Sequence, residues 1–328
     1  MTRGAGLPAL AVYITRDLAR NMSSPTSNTA PTRRAARAAR RWRMPWSTAV
    51  IASIFLVGVL VVSYPTVASW FSQYNQSKNI TAMASELQQD GESWMDEELD
   101  KAREYNKQLV GGAVLSPQSN VPTSDGQAGS TLDYWKLLAV RDDGLMGRLR
   151  IPSIDLDLPI YHGTDAATLE KGVGHLQGTS LPVGGLSQHA VLTAHRGLPK
   201  ATLFNNLPKV KKGDTFTVEM FGEVLTYRVF ETQTVLPEET KALSPQYGKD
   251  LMTLVTCTPL GVNTHRMLVT GERVLPTPAK DVDMAGKLPD IPGHPWWIWW
   301  ISAAVLGTIT WVVLAGRPQR EHRNRPAS

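Results

Sequence analysis

Two apolar runs frame the chain. The first carries no charge from Ser47 to Tyr64, and the uncharged stretch continues through Asn75. As a helix, 47–64 spans roughly 30 Å, the thickness of a bilayer core. The second opens with Trp296-Trp297-Ile298-Trp299-Trp300-Ile301 and reaches Ala315. Tryptophans at its start suit a membrane–water boundary. Between the runs, 80–109 is rich in Ala, Glu, Gln, Lys and Leu. Its apolar positions Met83, Leu87, Trp94, Leu99 and Tyr105 recur at helical intervals. The segment 111–132 is rich in Gly, Ser, Pro, Gln and Asn and reads as a long loop of lid or linker type. Asp133 is placed to cap a helix beginning at Tyr134.

From Gly144 the pattern changes to short β-rich runs between turn signals. Strands are predicted over 147–151, 158–161, 190–194, 215–221, 225–235, 252–257 and 266–274. Short helices are predicted over 166–171 and 201–206, and a hairpin turn at Gly222. Such spacing belongs to an all-β barrel.

Charge is divided along the length. Residues 72–294 hold 21 Lys and Arg against 27 Asp and Glu, a balance of −6, while the flanks carry +11 of the overall +5. The basic character therefore lies at the ends, and no nucleic-acid partner is expected of the middle. Arg33 to Arg43 precede the first apolar run, and Arg317, Arg320, Arg323 and Arg325 follow the second. The positive-inside tendency places both termini in the cytoplasm and the acidic middle outside, with membrane lipid as a partner. A cleavable signal peptide and an interfacial helix are the competing readings of the first and second runs.

The chemistry converges on 253–266. Cys257, the sole cysteine, excludes an intramolecular disulfide. It ends the β-rich run Thr253-Leu254-Val255-Thr256-Cys257. The turn-rich Thr258-Pro259-Leu260-Gly261-Val262-Asn263 and a second run from Arg266 follow. A hairpin is predicted, with Cys257 and Arg266 as neighbours at its mouth. The guanidinium favours thiolate over thiol and can bind an oxyanion formed when the sulfur attacks a carbonyl. Among seven histidines, His195 is best placed as the acid, between the run 190–194 and the turn signal Arg196-Gly197-Leu198-Pro199. His265 adjoins Arg266, but neighbours in a strand face opposite ways, so Arg266 facing the thiol turns His265 away. His162, His175 and His189 read as structural. No His or acidic pair falls at zinc spacing with Cys257, so neither metal nor cofactor is expected.

These residues resemble the sortase family, and most closely its class C, pilin-polymerising members. The resemblance rests on Thr253-Leu254-Val255-Thr256-Cys257, similar to a TLxTC signature, with Asn263-Thr264-His265-Arg266 after it. Also matching are Leu192-Thr193-Ala194-His195-Arg196-Gly197-Leu198-Pro199, Ile151-Pro152-Ser153-Ile154, Leu158-Pro159-Ile160-Tyr161-His162-Gly163-Thr164 and Gly172-Val173-Gly174-His175-Leu176. It covers 134 to 275. It implies an all-β fold, a closed, mainly antiparallel eight-stranded β-barrel with short helices, an N-terminal helical segment and two transmembrane helices. The seven predicted strands leave one unplaced. The implied organisation is a basic tail over 1–45, a span over 46–71, a helical segment over 72–110, the lid-like loop 111–132, the catalytic barrel 133–278, a linker 279–294, a span 295–316 and a tail 317–328. Class C members carry an Asp-Pro-aromatic lid motif, and this chain has none.

The resemblance implies a catalytic set of Cys257, His195 and Arg266, with Thr256 and Thr258 contacting substrate. The implied partners are pilin or surface proteins bearing an LPxTG-like sorting signal and, as acceptor, a pilin lysine or a cell-wall amine. The implied setting is the outer face of a Gram-positive cell membrane. A housekeeping sortase serving peptidoglycan, a cysteine protease and a membrane-tethered β-barrel adhesin remain as alternative readings.

Overall fold

A computed structural model describes residues 42–109, 132–290 and 292–317. The chain divides into two compact units. In the smaller, the indole of Trp42 donates to the carbonyl of Val313 at 3.2 Å and the Arg43 N–H to that of Gly316 at 3.3 Å. The larger unit, 52–308, contains the barrel.

Helix α1, Trp46–Asp90, is continuous through Pro65. It ends at Gly91, whose φ of 85° suits a residue without Cβ. Helix α2, Glu92–Gln108, follows. The predicted helix over 80–109 is therefore the end of one long helix joined to a second. Met83, Leu87, Leu99, Ala102 and Tyr105 enter the main core with the barrel residues. The expected helix at 134 is a single 3-10 turn, Tyr134–Lys136, capped by Asp133, which accepts from the N–H of Trp135 at 3.1 Å.

Eight strands close the barrel: β1 Leu145–Ile151, β2 Leu156–His162, β3 Val173–His175, β4 Gln188–Thr193, β5 Thr215–Met220, β6 Glu223–Val235, β7 Asp250–Thr258 and β8 His265–Arg273. Their order around the barrel is β1-β2-β3-β4-β7-β8-β6-β5. Helix α3, Ala166–Lys171, occupies the predicted range between β2 and β3. The unplaced strand is β3, whose three residues are too few to show alternation. The helix expected over 201–206 is a kinked 3-10 segment, Leu203–Lys209, with Phe204 outside helical geometry. Phe221 and Gly222 both have positive φ, as a two-residue hairpin loop requires. Helix α4, Ala279–Val282, and helix α5, Trp297–Ala315, are the last helices among the described residues.

Across β4, β7 and β8 the register aligns Leu192, Leu254 and Val269, all fully buried in the main core. The alternate positions Val191, Val255 and Leu268 form a second apolar cluster with Leu176 and Leu243. Leu243 lies in the segment between β6 and β7, which thus covers the other face of these strands. Burial on both faces explains why 252–257 does not alternate between apolar and polar residues.

Beneath β3, His175 is fully buried. Its Nε2 lies 2.9 Å from the carbonyl of Ser180 and its Nδ1 2.9 Å from the hydroxyl of Tyr134. A proton on Nε2 and a bare Nδ1 satisfy both. Burial, only partly opposed by the Ser180 carbonyl, holds this ring neutral down to about pH 3. The unfolded ring takes up its proton near pH 6.5. Between those values acid favours the unfolded chain, by up to about 1.4 kcal/mol for each pH unit crossed. The stability of the barrel is therefore expected to fall as pH drops from about 6.5 towards 3, measured by denaturant unfolding. His175→Asn should be less stable at neutral pH and show a shallower decline across that window.

Candidate active site

Site geometry follows from two ladders. Strands β7 and β8 run antiparallel, and their register sets Cys257 directly opposite Arg266. Strands β4 and β7 run parallel, pairing Val191 with Thr253 and Thr193 with Val255. The alignment continues past the end of β4. The Ala194 N–H donates to the carbonyl of Val255 at 3.2 Å, and the Thr256 hydroxyl donates to that of Ala194 at 2.8 Å. One step further, the same register carries His195 to the level of Cys257. Positions two apart share a face. Val191, Thr193 and His195 thus align with Thr253, Val255 and Cys257, and these with Thr270, Leu268 and Arg266. Cys257 and Arg266 are direct neighbours on β7 and β8, and the backbone of His195, two residues past the end of β4, comes to the level of Cys257 at the same pole of the barrel.

Each group is held by its own loop. Arg266 is 2% exposed, and its Nη1 donates to the carbonyls of Asn263 at 3.0 Å and His265 at 3.2 Å. The backbone of the β7–β8 loop thereby orients a buried cation. His195 is half-buried, and its carbonyl accepts from the Phe204 N–H at 3.0 Å. Next to it, Arg196 Nη1 donates to the Thr258 hydroxyl at 3.2 Å, tying the histidine's loop to the strand end that carries the cysteine.

The two threonines expected to meet substrate differ. Thr258 is half-buried at the rim. Thr256 is fully buried, and its hydroxyl is committed to Ala194, so its side chain serves the junction of β4 with β7. His265 pairs with Thr264 at 2.9 Å and takes the position opposite Thr258, on the other face from Arg266. His162 and His189 spend both ring nitrogens inside the fold: His162 on the carbonyls of Gly144 and Leu137, His189 on the carbonyl of Ser244 and the hydroxyl of Thr253.

Sequence reasoning missed the bridge from Arg196. It also missed the polar ladder behind the site, in which Thr253 meets His189 at 2.7 Å and Thr270 at 2.9 Å. Thr253 and Thr270 pair directly across β7 and β8, whereas His189 pairs with Leu251, two positions away on the same face, so no simple alignment of polar residues in the sequence marks the ladder.

Electrostatics keep the resting pair neutral. Burial raises the thiol of Cys257 above the usual 9.0, and the Arg266 guanidinium opposes that rise. Burial lowers the imidazole of His195 below 6.5. Glu170 pulls it back up and Lys200 pushes it down. Glu170 and Lys200 form an ion pair at 3.0 Å and act on the ring in opposite senses. At neutral pH the dominant pair is thiol and neutral imidazole, and the thiolate–imidazolium form is a minor species. Alkylation of Cys257 by iodoacetamide is expected to rise with pH through a midpoint above 9.0. Arg266→Gln should move that midpoint higher, because it removes a charge that favours the thiolate. A midpoint that stays put in Arg266→Gln would mean the guanidinium does not act on the sulfur.

Comparison with known proteins points to one family. A family model described as the sortase domain matches residues 149–274. Sortase D of Bacillus subtilis is 34% identical over 131 residues, which are 39% of this chain and 63% of that protein, so the match spans less than two thirds of that relative's length. The crystal structure of sortase C-1 from Actinomyces oris is 49% identical, covering 55% of this chain and 98% of that one, with a TM-score of 0.50. That of Streptococcus pneumoniae sortase C, whose description speaks of pilin substrate specificity, is 38% identical, covering 60% and 96%, with a TM-score of 0.54. Motifs, barrel and relatives agree: this chain belongs to the sortase family.

Proposed function

We propose that the chain is a membrane-anchored cysteine transpeptidase of the class C kind. The observation that carries the reading is the pairing of Cys257 with Arg266 across β7 and β8, with His195 brought to the same level just past the end of β4. In the first step the Cys257 sulfur attacks the Thr–Gly carbonyl of an LPxTG-like sorting signal. Negative charge then develops on the carbonyl oxygen, and Arg266 stabilises it. His195, as imidazolium, gives its proton to the glycine nitrogen as the C–N bond breaks, leaving a thioester. In the second step a lysine ε-amine attacks the thioester. His195 takes up the amine's proton and passes it to the departing sulfur as the C–S bond breaks, so the isopeptide bond forms and the thiol is regenerated.

Assignment to pilin polymerisation is supported by the sortase C relatives from Actinomyces oris and Streptococcus pneumoniae. Membrane anchoring is supported by two helices long and apolar enough to span a bilayer, Trp46–Gln89 and Trp297–Ala315. Basic residues precede the first and follow the second. Both termini are then cytoplasmic and the barrel extracytoplasmic. Confining enzyme and anchored substrates to one plane raises their effective concentration. The lid-like loop falls almost wholly outside the described residues.

Incubating the protein with sorting-signal peptides, then measuring intact mass, tests the reaction class. A mass increase on Cys257 equal to the acyl fragment ending in threonine is expected, and it should be absent in Cys257→Ala. Arg266→Ala is expected to lower the rate of adduct formation about 10²- to 10³-fold, the usual effect of losing one oxyanion donor. Adding a lysine-bearing pilin domain should discharge the adduct into an isopeptide product. Discharge only by a peptidoglycan-type amine would reassign the chain to cell-wall anchoring. If varied sorting pentapeptides leave Cys257 unmodified, the transpeptidase reading fails.

A further inference from the structure

Contacts along α1 carry orientation as well as attachment. At one level Ser69 Oγ and Gln73 Nε2 lie 3.2 Å and 3.1 Å from the hydroxyl of Thr202, in the loop that begins at His195. A turn later, Gln76 Nε2 donates to the carbonyl of Lys171 at 3.1 Å, just before β3. Strand β3 runs antiparallel to β4 and starts at the end where β4 finishes, so these contacts lie at the catalytic pole. Further along the same helix, Leu87 and Gln88 line a cavity with Glu219 and Gly222 of the β5–β6 hairpin. Strand β6 starts four residues before Tyr227, which pairs with Arg273 at the far end of β8 from Arg266, so that hairpin marks the other pole. The fifteen residues from Gln73 to Gln88 rise about 22 Å, enough to run the height of the barrel.

The C-terminal leg runs the opposite way. The Gly286 N–H donates to Glu219 at 2.7 Å, Ser77 Oγ lies 3.4 Å from the carbonyl of Asp290, and the Trp70 indole donates to that of Gly293 at 3.1 Å. The leg then enters α5. Where it does so, Trp70 meets Trp297 edge to face at 6.1 Å and stacks on Tyr74 at 5.4 Å, and Phe71 lies 6.3 Å from Trp297. Such an aromatic cluster at the end of two apolar helices fits a bilayer interface. It lies on the catalytic-pole side of the contacts from Gln73 and Gln76.

From this geometry we infer that the catalytic pole of the barrel faces the bilayer, held there by docking of the barrel onto its own α1. The partner is a lipid surface, and the inference rests on the membrane reading above. At that pole the β7–β8 loop presents Leu260 and Val262, 57% and 64% exposed, beside the loop after His195. Both are apolar and suited to the headgroup boundary. The orientation defines the donor: Cys257 is reached by a sorting signal lying close to the membrane that holds its own anchor. A site turned the other way would favour signals well above the surface.

The test uses the full chain in liposomes whose headgroups carry a rhodamine acceptor. The native cysteine is first removed as Cys257→Ala. A donor dye is then attached singly through Val262→Cys or Pro199→Cys at the catalytic pole, and through Leu186→Cys or Tyr247→Cys at the other. All four positions are exposed. Unfolding curves matching the Cys257→Ala parent confirm the fold. Transfer efficiency several-fold higher from 262 and 199 than from 186 and 247 is expected. Equal transfer, or the reverse ranking, in chains that float with the liposomes overturns the orientation and leaves anchoring intact. Failure to float overturns the anchoring and the orientation with it.

Discussion

Parallel pairing of β4 with β7 is the constraint on which the rest depends. The antiparallel hairpin of β7 and β8 alone puts a thiol opposite a guanidinium. It takes a second ladder of fixed register to bring an imidazole from some sixty residues away to the same level. A slip of one residue would turn His195 to the opposite face, because side chains alternate along a strand. Several side chains guard the register. Thr193 Oγ1 lies 3.2 Å from the carbonyl of Val255, Thr256 reaches the carbonyl of Ala194, and His189 reaches Thr253 across the same pair of strands. Apolar packing agrees with them, since a slip would also exchange the residues of the main core for those of the second cluster.

Burial at this rim acts in two directions. It keeps water from the Arg266 guanidinium, the group that meets the oxyanion in the proposed mechanism. It also disfavours every charged resting form, raising the thiol and lowering the imidazole. The reactive ion pair is therefore scarce before substrate binds. Arg266 moderates this and stays fixed because the carbonyls of its own hairpin hold it. The proposed chemistry thus draws on one guanidinium fixed by its own hairpin and on two groups whose charged forms burial disfavours.

Much of this was legible in the chain. The loop of 258–264, flanked by two β-rich runs, identified the Cys257–Arg266 pair, because hairpin neighbours follow from local sequence alone. His195 was legible from its place at the end of an apolar run. The parallel partnership of β4 with β7 is a non-local choice that no local pattern encodes. Strand β3 escaped because three residues show no period, and its pairing is parallel to β2. The span of α1 was divided at 71 by its change of composition, whereas the backbone stays helical to Asp90. A helix does not end where its environment changes. The resemblance implied that Thr256 contacts substrate, whereas its hydroxyl is committed to the carbonyl of Ala194.

The most direct measurement is a crystal structure of the protein with a sorting-signal mimic joined to Cys257 through a stable link that retains the carbonyl oxygen. The account requires that oxygen within hydrogen-bond distance of the Arg266 guanidinium. It also requires the His195 ring on the side from which the glycine nitrogen departs. An oxygen pointing away from Arg266, or a His195 ring turned off the face it shares with Cys257, would contradict it.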